Sequence, residues 1–280
     1  MANLWFITGV SSGLGRAVAI AAIDAGYDVV GSVRNAADAA SFEALATDRA
    51  YSVLLDVADH GAIGPAIDRI ERDIGPIGVV VNNAGYGQEG PLEQIGIGDM
   101  RRLFDANFFG ALAVSQAVIP HMRVRGRGLI INISSITALG AAPAIGAYSS
   151  SKAALNCASE VLAKEVAPFG IKVTAIQPGS FRTDWAGRSL VRGVDDDPAY
   201  AHLDEQRAAR AARDGRQVGD PAKFARALIA LAQDDDPPAN LLLGESALRA
   251  YRARIAQMEG ELARCADIAL TTDFDPIAAE

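Results

Sequence analysis

The sequence predicts an α/β fold: one doubly wound, mostly parallel seven-stranded sheet with helices on both faces. Three observations carry this. Short β-branched runs recur along the chain, they are apolar at nearly every position, and helical patterns separate them. A strand covered on both faces has no solvent side to alternate toward, so continuous apolar character indicates a parallel sheet. Strand, helix and strand in succession then imply right-handed crossovers.

The elements follow in order. LWFITG (4–9) reads as the first strand and GLGRAVAIAAIDAG (13–26) as the helix after it. YDVVGSVR (27–34) and YSVLLDV (51–57) supply the next two strands, AIGPAIDRIERDIG (62–75) a helix, and IGVVVNN (77–83) the fourth strand. Long helices are expected over 99–122 and 147–170, with GLIINISS (128–135) as the strand between them. IKVTAIQPG (171–179) and NLLLG (240–244) complete the seven strands. Residues 180–219 carry no clear strand, include DDDP at 195–198 and are rich in Arg and Ala, which predicts a substrate lid with some helix. DDDPP (234–238) reads as a turn. The organisation expected is a single domain over 1–280, with a lid insertion at 180–219 and a charged helical extension at 245–280.

Composition narrows the classes. A chain of 280 residues can bury a substantial core. Half of it is hydrophobic, 21% is charged and the net charge is −8, which suits a soluble cytoplasmic protein and argues against a nucleic-acid partner. The basic cluster RVRGRG (123–128) reads as a solvated loop. Cys157 and Cys265 have no Cys or His at ligand spacing, so neither a metal site nor a disulfide framework is expected. Cys157 lies in an apolar helical run and is expected to be a small buried hydrophobe. The N-terminus lacks the basic region of a signal peptide, and no apolar stretch approaches the roughly 20 residues of a membrane helix. No membrane partner is expected.

Chemistry is expected at the carboxyl ends of the strands, where open parallel sheets bind ligands. After the first strand comes TGVSSGLG (8–15), running straight into a helix. Gly9, Gly13 and Gly15 allow a tight turn and close backbone approach, and the helix start, with Ser11, Ser12 and Leu14, offers unpaired N–H groups to a pyrophosphate. The second strand ends in Arg34 where an acid would suit a ribose 2′-hydroxyl, so NADP(H) is favoured over NAD(H). Tyr148 and Lys152, four apart on a helix, share a face and can meet one ligand.

TGVSSGLG (8–15), LDV (55–57), NNAG (82–85), Asn107 in ANFFG, ISS (133–135), YSSSK (148–152) and QPG (177–179) stand in this order. As an ordered set they resemble the short-chain dehydrogenase/reductase family over about residues 4–245, and the charged C-terminal helix resembles the branch with hydroxysteroid and retinol dehydrogenases and bacterial reductases. The resemblance implies a Rossmann fold and a set of roles. Asp56, with Val57, would contact the adenine; Asn82, Asn83, Ala84 and Gly85 would pass the adenosine ribose; Pro178, Gly179, Phe181 and Thr183 would line the nicotinamide side. Ser135, Tyr148, Lys152 and Asn107 would form the catalytic tetrad, with Lys152 lowering the Tyr148 pKa. Tyr86, Leu139, Ser135 and Tyr148 would meet the substrate, and Tyr86, Gln88, Leu139, Ala141, Pro143 and the lid would line its pocket.

The activity implied is NADP(H)-dependent hydride transfer between a ketone or aldehyde and an alcohol. Two rivals are a redox-sensing dinucleotide-binding protein, which has no use for Ser135, Tyr148 and Lys152 together, and a sugar-nucleotide epimerase or dehydratase, which usually carries a larger C-terminal domain. A homodimer or homotetramer is expected, with an apolar set at 155, 158, 162, 166 and 169 placed to pack across a two-fold axis.

Overall fold

The computed structural model describes residues 3–140, 142–185, 187–192 and 197–274. Its main sheet takes the strands β1 (Leu4–Thr8), β2 (Asp28–Val33), β3 (Ala50–Leu54), β4 (Ile77–Asn82), β6 (Gly128–Ile133), β7 (Ile171–Pro178) and β9 (Asn240–Leu243). They lie in the order β3-β2-β1-β4-β6-β7-β9, and every pairing is parallel. The strand order reverses between β1 and β4, so the crevice for a ligand opens there. The expected seven-stranded α/β fold is the one observed.

Both faces of the sheet are covered. On one lie α1 (Gly13–Asp24), α2 (Ala36–Glu43) and α8 (Pro221–Gln233), where Val18, Ala22, Phe42, Phe224 and Leu228 pack against Trp5, Ile7 and Val29. On the other, α3 (His60–Asp73), α5 (Gly110–Arg125) and α6 (Gly146–Val166) set Ile63, Ile67, Val114, Val118 and Val166 against Phe6, Val30 and Ile130. Alternate strand residues thus feed opposite cores, which is why the strands read as unbroken apolar runs.

Several expectations are corrected. The excursion after β7 does contain a strand, β8 (Leu190–Arg192), paired in parallel with β5 (Gly87–Glu89), and a helix, α7 (Asp204–Ala212). Three residues are too few to show a pattern. Of the DDDP run, Asp195 and Asp196 lie outside the described residues, as does Ala141. RVRGRG spans the last turn of α5 and the short link into β6: Arg125 donates to Glu71 and to the Ile77 carbonyl (2.8 Å), and Arg123 lies over the Phe169 ring. Cys157 is exposed, because α6 turns Leu155, Asn156 and Ser159 inward instead. Of the set expected on a two-fold axis, Leu155 and Val166 are buried in this chain's own core and Leu162 packs against it, whereas Ala158 is half-buried and Phe169 is exposed. Finally, α4 (Ile97–Phe104) runs through a π-helical turn (Asp105–Phe109) into α5 as one 29-residue helix, long and apolar enough by length and composition to cross a membrane. Its apolar side is spent within the molecule: Leu103, Val114, Val118 and Met122 are fully buried.

Candidate active site

The site begins at the β1–α1 junction. Gly9 (φ +73°) and Gly13 (φ +61°) sit in left-handed backbone that a side chain resists. A Cβ on Gly9 would lie 3.1 Å from the Ala84 backbone. At Gly15 it would strike the Asn83 side chain and the Gly9 carbonyl, so the loop closes only with glycine there. Gly9 N donates to the Ser32 hydroxyl (3.1 Å), and Asn83 Nδ2 donates to the Thr8 and Gly9 carbonyls (2.9 and 3.2 Å). Thr8 Oγ1 accepts from both Asn83 N and Ala84 N at 3.0 Å, tying the ends of β1 and β4 together. Ser12 caps α1 through extended backbone without a side-chain bond, so the first-turn N–H groups remain open. Asn82 is different: its side chain points into the core toward Ser115, Asn132 and the Ala111 carbonyl.

Arg34 is exposed just beyond β2, with no partner among the described residues. Asp56 lies exposed beyond β3, where its Oδ1 accepts from Ala58 N (3.0 Å), and Val57 is buried beside it. These residues and the glycine loop form the rim along the β3, β2 and β1 ends.

At the other end of the crevice is a cavity of about 500 Å³. Leu14, Asn83, Gly85, Ser135, Tyr148, Lys152, Pro178, Gly179, Phe181 and Thr183 all line it. Ser135 Oγ accepts from Thr137 N (3.1 Å) and Thr137 Oγ1 (3.0 Å), which leaves its own proton to donate. Burial pushes the Tyr148 phenol up to about 12, against which the hydrogen bond from Ser135 pulls it down. Lys152 is pushed down to about 8 by burial. Its Nζ donates to the Ile133 carbonyl at 2.7 Å, the one acceptor it has among the described residues.

Asn107 stands on the π turn, fully buried. It brackets Tyr86 by accepting from its N–H and donating to its carbonyl, both at 2.9 Å, and also donates to Ser151 (3.1 Å). The extra residue of a π turn aims this side chain inward without breaking the helix. Four expected pocket residues are absent from the cavity wall: Tyr86 packs with Leu103, Ala147 and Tyr148 behind it, and Gln88, Leu139 and Pro143 lie outside it.

Sequence reasoning missed others. Ser134 donates to the Lys152 carbonyl (3.1 Å) and anchors that turn of α6. Trp185 packs against Tyr148 with ring centroids 5.2 Å apart and planes tilted by 54°, and Gly87 leaves the room it needs. Gln206, Arg210 and Arg213 reach the cavity from α7 and the turn after it. The tryptophan two residues after Thr183 was the available signal; the α7 residues gave none.

The residues present fit a dinucleotide: a glycine cradle closed to side chains, open helix N–H groups, and a buried ammonium with two unmatched protons facing the cavity.

The family model described as short chain dehydrogenase matches residues 3–190. Oxidoreductase BOA17 of Botryotinia fuckeliana (strain B05.10) is 36% identical over 259 residues, 92% of this chain and 94% of that protein. A short-chain dehydrogenase from Streptomyces avermitilis matches with a TM-score of 0.90 at 36% identity, over 98% of this chain and 99% of that one. A gluconate 5-dehydrogenase from Burkholderia cenocepacia J2315, in complex with NADP and tartrate, matches with a TM-score of 0.74 at 31% identity, over 88% and 95%. A likeness this deep, spread over nearly the whole length and joined to a crevice shaped for a dinucleotide, makes the chain a member of the short-chain dehydrogenase/reductase family, an oxidoreductase acting on CH–OH groups with NAD(P).

Proposed function

We propose that the protein interconverts a ketone or aldehyde and an alcohol, with Tyr148 as general acid in reduction and general base in oxidation. The observation that carries this is that Tyr148, Ser135 and Lys152 line one cavity together with Gly179 and Thr183. The nicotinamide, when bound, donates or accepts the hydride. The chain's own residues then handle oxygen and its proton. Ser135 donates a hydrogen bond to the carbonyl oxygen and stabilises the developing alkoxide. Tyr148, held protonated by burial, releases its proton to that oxygen. Lys152 offers its two unmatched protons to the bound ribose and steadies the phenolate once formed. Asn107 holds the Tyr86 backbone and, through Ser151, the helix turn that carries Tyr148.

NADP(H) is the favoured cofactor. Arg34 stands exposed at the β2 end, where a 2′-phosphate would lie, and the Burkholderia relative was solved with NADP. Residues 180–219 act as the substrate lid, and the charged stretch from 245 onward is a helical extension of the same domain.

The test is a panel of carbonyl compounds turned over with NADPH and with NADH, followed by cofactor absorbance, in wild type and Tyr148→Phe. Tyr148→Phe is expected to lower kcat by about a hundredfold or more while leaving cofactor affinity within a few-fold. Turnover within tenfold of wild type would remove Tyr148 from the assigned role.

A further inference from the structure

The last helix, α9 (Glu245–Leu270), is rooted at the site and then leaves it. Ala247 is fully buried, and the Ser246 hydroxyl accepts from Ser180 N (3.1 Å). From Leu248 onward no residue of the helix is buried. Along it, Leu248, Tyr251, Ile255, Met258, Leu262 and Cys265 recur at alternating steps of three and four. The first five are large hydrophobics between 37% and 69% exposed. That spacing keeps one seam on one side of a helix and is the a/d pattern of a coiled coil. A helix of 26 residues is about 39 Å long, enough for three heptads.

The charges beside the seam say what covers it. The flanking e and g positions are Arg252 and Arg254 in the first half, and Glu259 and Glu261 in the second. A parallel copy would match only Arg254 with the partner's Glu259, leaving Arg252 and Glu261 beside Ala247 and Ala266 of the partner. An antiparallel copy sets each arginine beside a glutamate. One two-fold axis between Ala256 and Gln257 faces Leu248 with the partner's Cys265, Tyr251 with the partner's Leu262, and Ile255 with the partner's Met258. About the same axis Arg252 lies near the partner's Glu259, and Arg254 near the partner's Glu261. Within the chain Arg254 meets Glu261 only at 3.8 Å and in solvent, a contact worth little and readily exchanged.

We propose that α9 is a self-association element, pairing antiparallel with α9 of a second copy of this chain. Such a contact is isologous and closes at two copies. It lies apart from the cavity, so each copy keeps a complete site.

The experiment uses the full chain with Cys157→Ser, which removes the other cysteine. Two charge-reversed variants are made, Arg252→Glu/Arg254→Glu and Glu259→Arg/Glu261→Arg. Sedimentation at micromolar concentration is expected to give each variant alone half the assembly mass of the unreversed chain, and an equimolar mixture the full mass. Leu248→Cys is expected to form an interchain disulfide with Cys265 under mild oxidation, while the chain with Cys265 alone does not cross-link. Unchanged mass in both reversed variants, a monomeric unreversed chain, no recovery on mixing, or a Cys265–Cys265 cross-link would each overturn the proposal.

Discussion

Lys152 has three protons and one acceptor among the described residues, and burial holds its pKa near 8. Its charge is present below that pH and lost above it, whereas Tyr148, at about 12, stays protonated throughout the neutral range. Reduction is therefore expected to show kcat/KM level at neutral pH and falling above about pH 8; in Lys152→Met the rate drops and that alkaline limb vanishes. A limb retained in the variant would assign it to another group. Stability carries the opposite sense. The folded pKa lies below the ordinary 10.5, so the contribution of Lys152 is present above that value and lost as pH falls through about 8. The melting temperature of Lys152→Met relative to wild type should therefore be most favourable at pH 6 and decline toward pH 10. Thr8 is the second residue of consequence. Thr8→Val leaves two backbone N–H groups at the end of β4 without their acceptor, and should destabilise by about 2 kcal/mol or more in urea unfolding. Because Thr8 Oγ1 also holds the Asn83 and Ala84 backbone beside the glycine loop, dinucleotide affinity should fall with it.

Among the elements, β5, β8 and α7 meet at one carboxylate. Glu89 is 3% exposed and pairs with Arg192 (3.3 Å) and Arg210, drawing β8 and α7 onto β5 beside the cavity. Glu89→Gln keeps the shape but leaves Arg210 uncompensated; about a tenfold rise in the KM of the carbonyl substrate is expected, with cofactor affinity unchanged in titration. Which elements could be read beforehand follows from how they bury themselves. The seven strands were legible to within a residue or three because both faces are apolar, and the glycine loop because only glycine fits it. The Ser135, Tyr148 and Lys152 cluster was legible as an ordered motif, and the three do line one cavity. What escaped lacks such a signature: α2 is eight residues long and buries one side chain, Phe42, β8 is three residues long, and Arg210 acts only through contacts between distant segments. The side that α6 turns to the sheet was misread, because its buried set mixes Ser and Asn with Leu and so blurs the apolar stripe.

For the molecule as a whole, two separate cores on one sheet mean that damage to each should add. Ile67 on α3 and Leu228 on α8 are both fully buried on opposite faces. Truncating either to alanine should cost about 2–5 kcal/mol, and the double variant close to the sum in denaturant unfolding. The 29-residue helix shows how the site is tuned to this frame. Its first part presents Leu103 to the cluster behind Tyr148, and its second presents Val114, Val118 and Met122 to the sheet. The π turn between them is one surplus residue, and one residue is about 100° of rotation on a helix. The two ends are thus held in phase by a count, not by any particular side chain. A one-residue deletion within 105–109 would straighten the helix and leave the two clusters unable to be satisfied together, a fault that no substitution at the same positions reproduces.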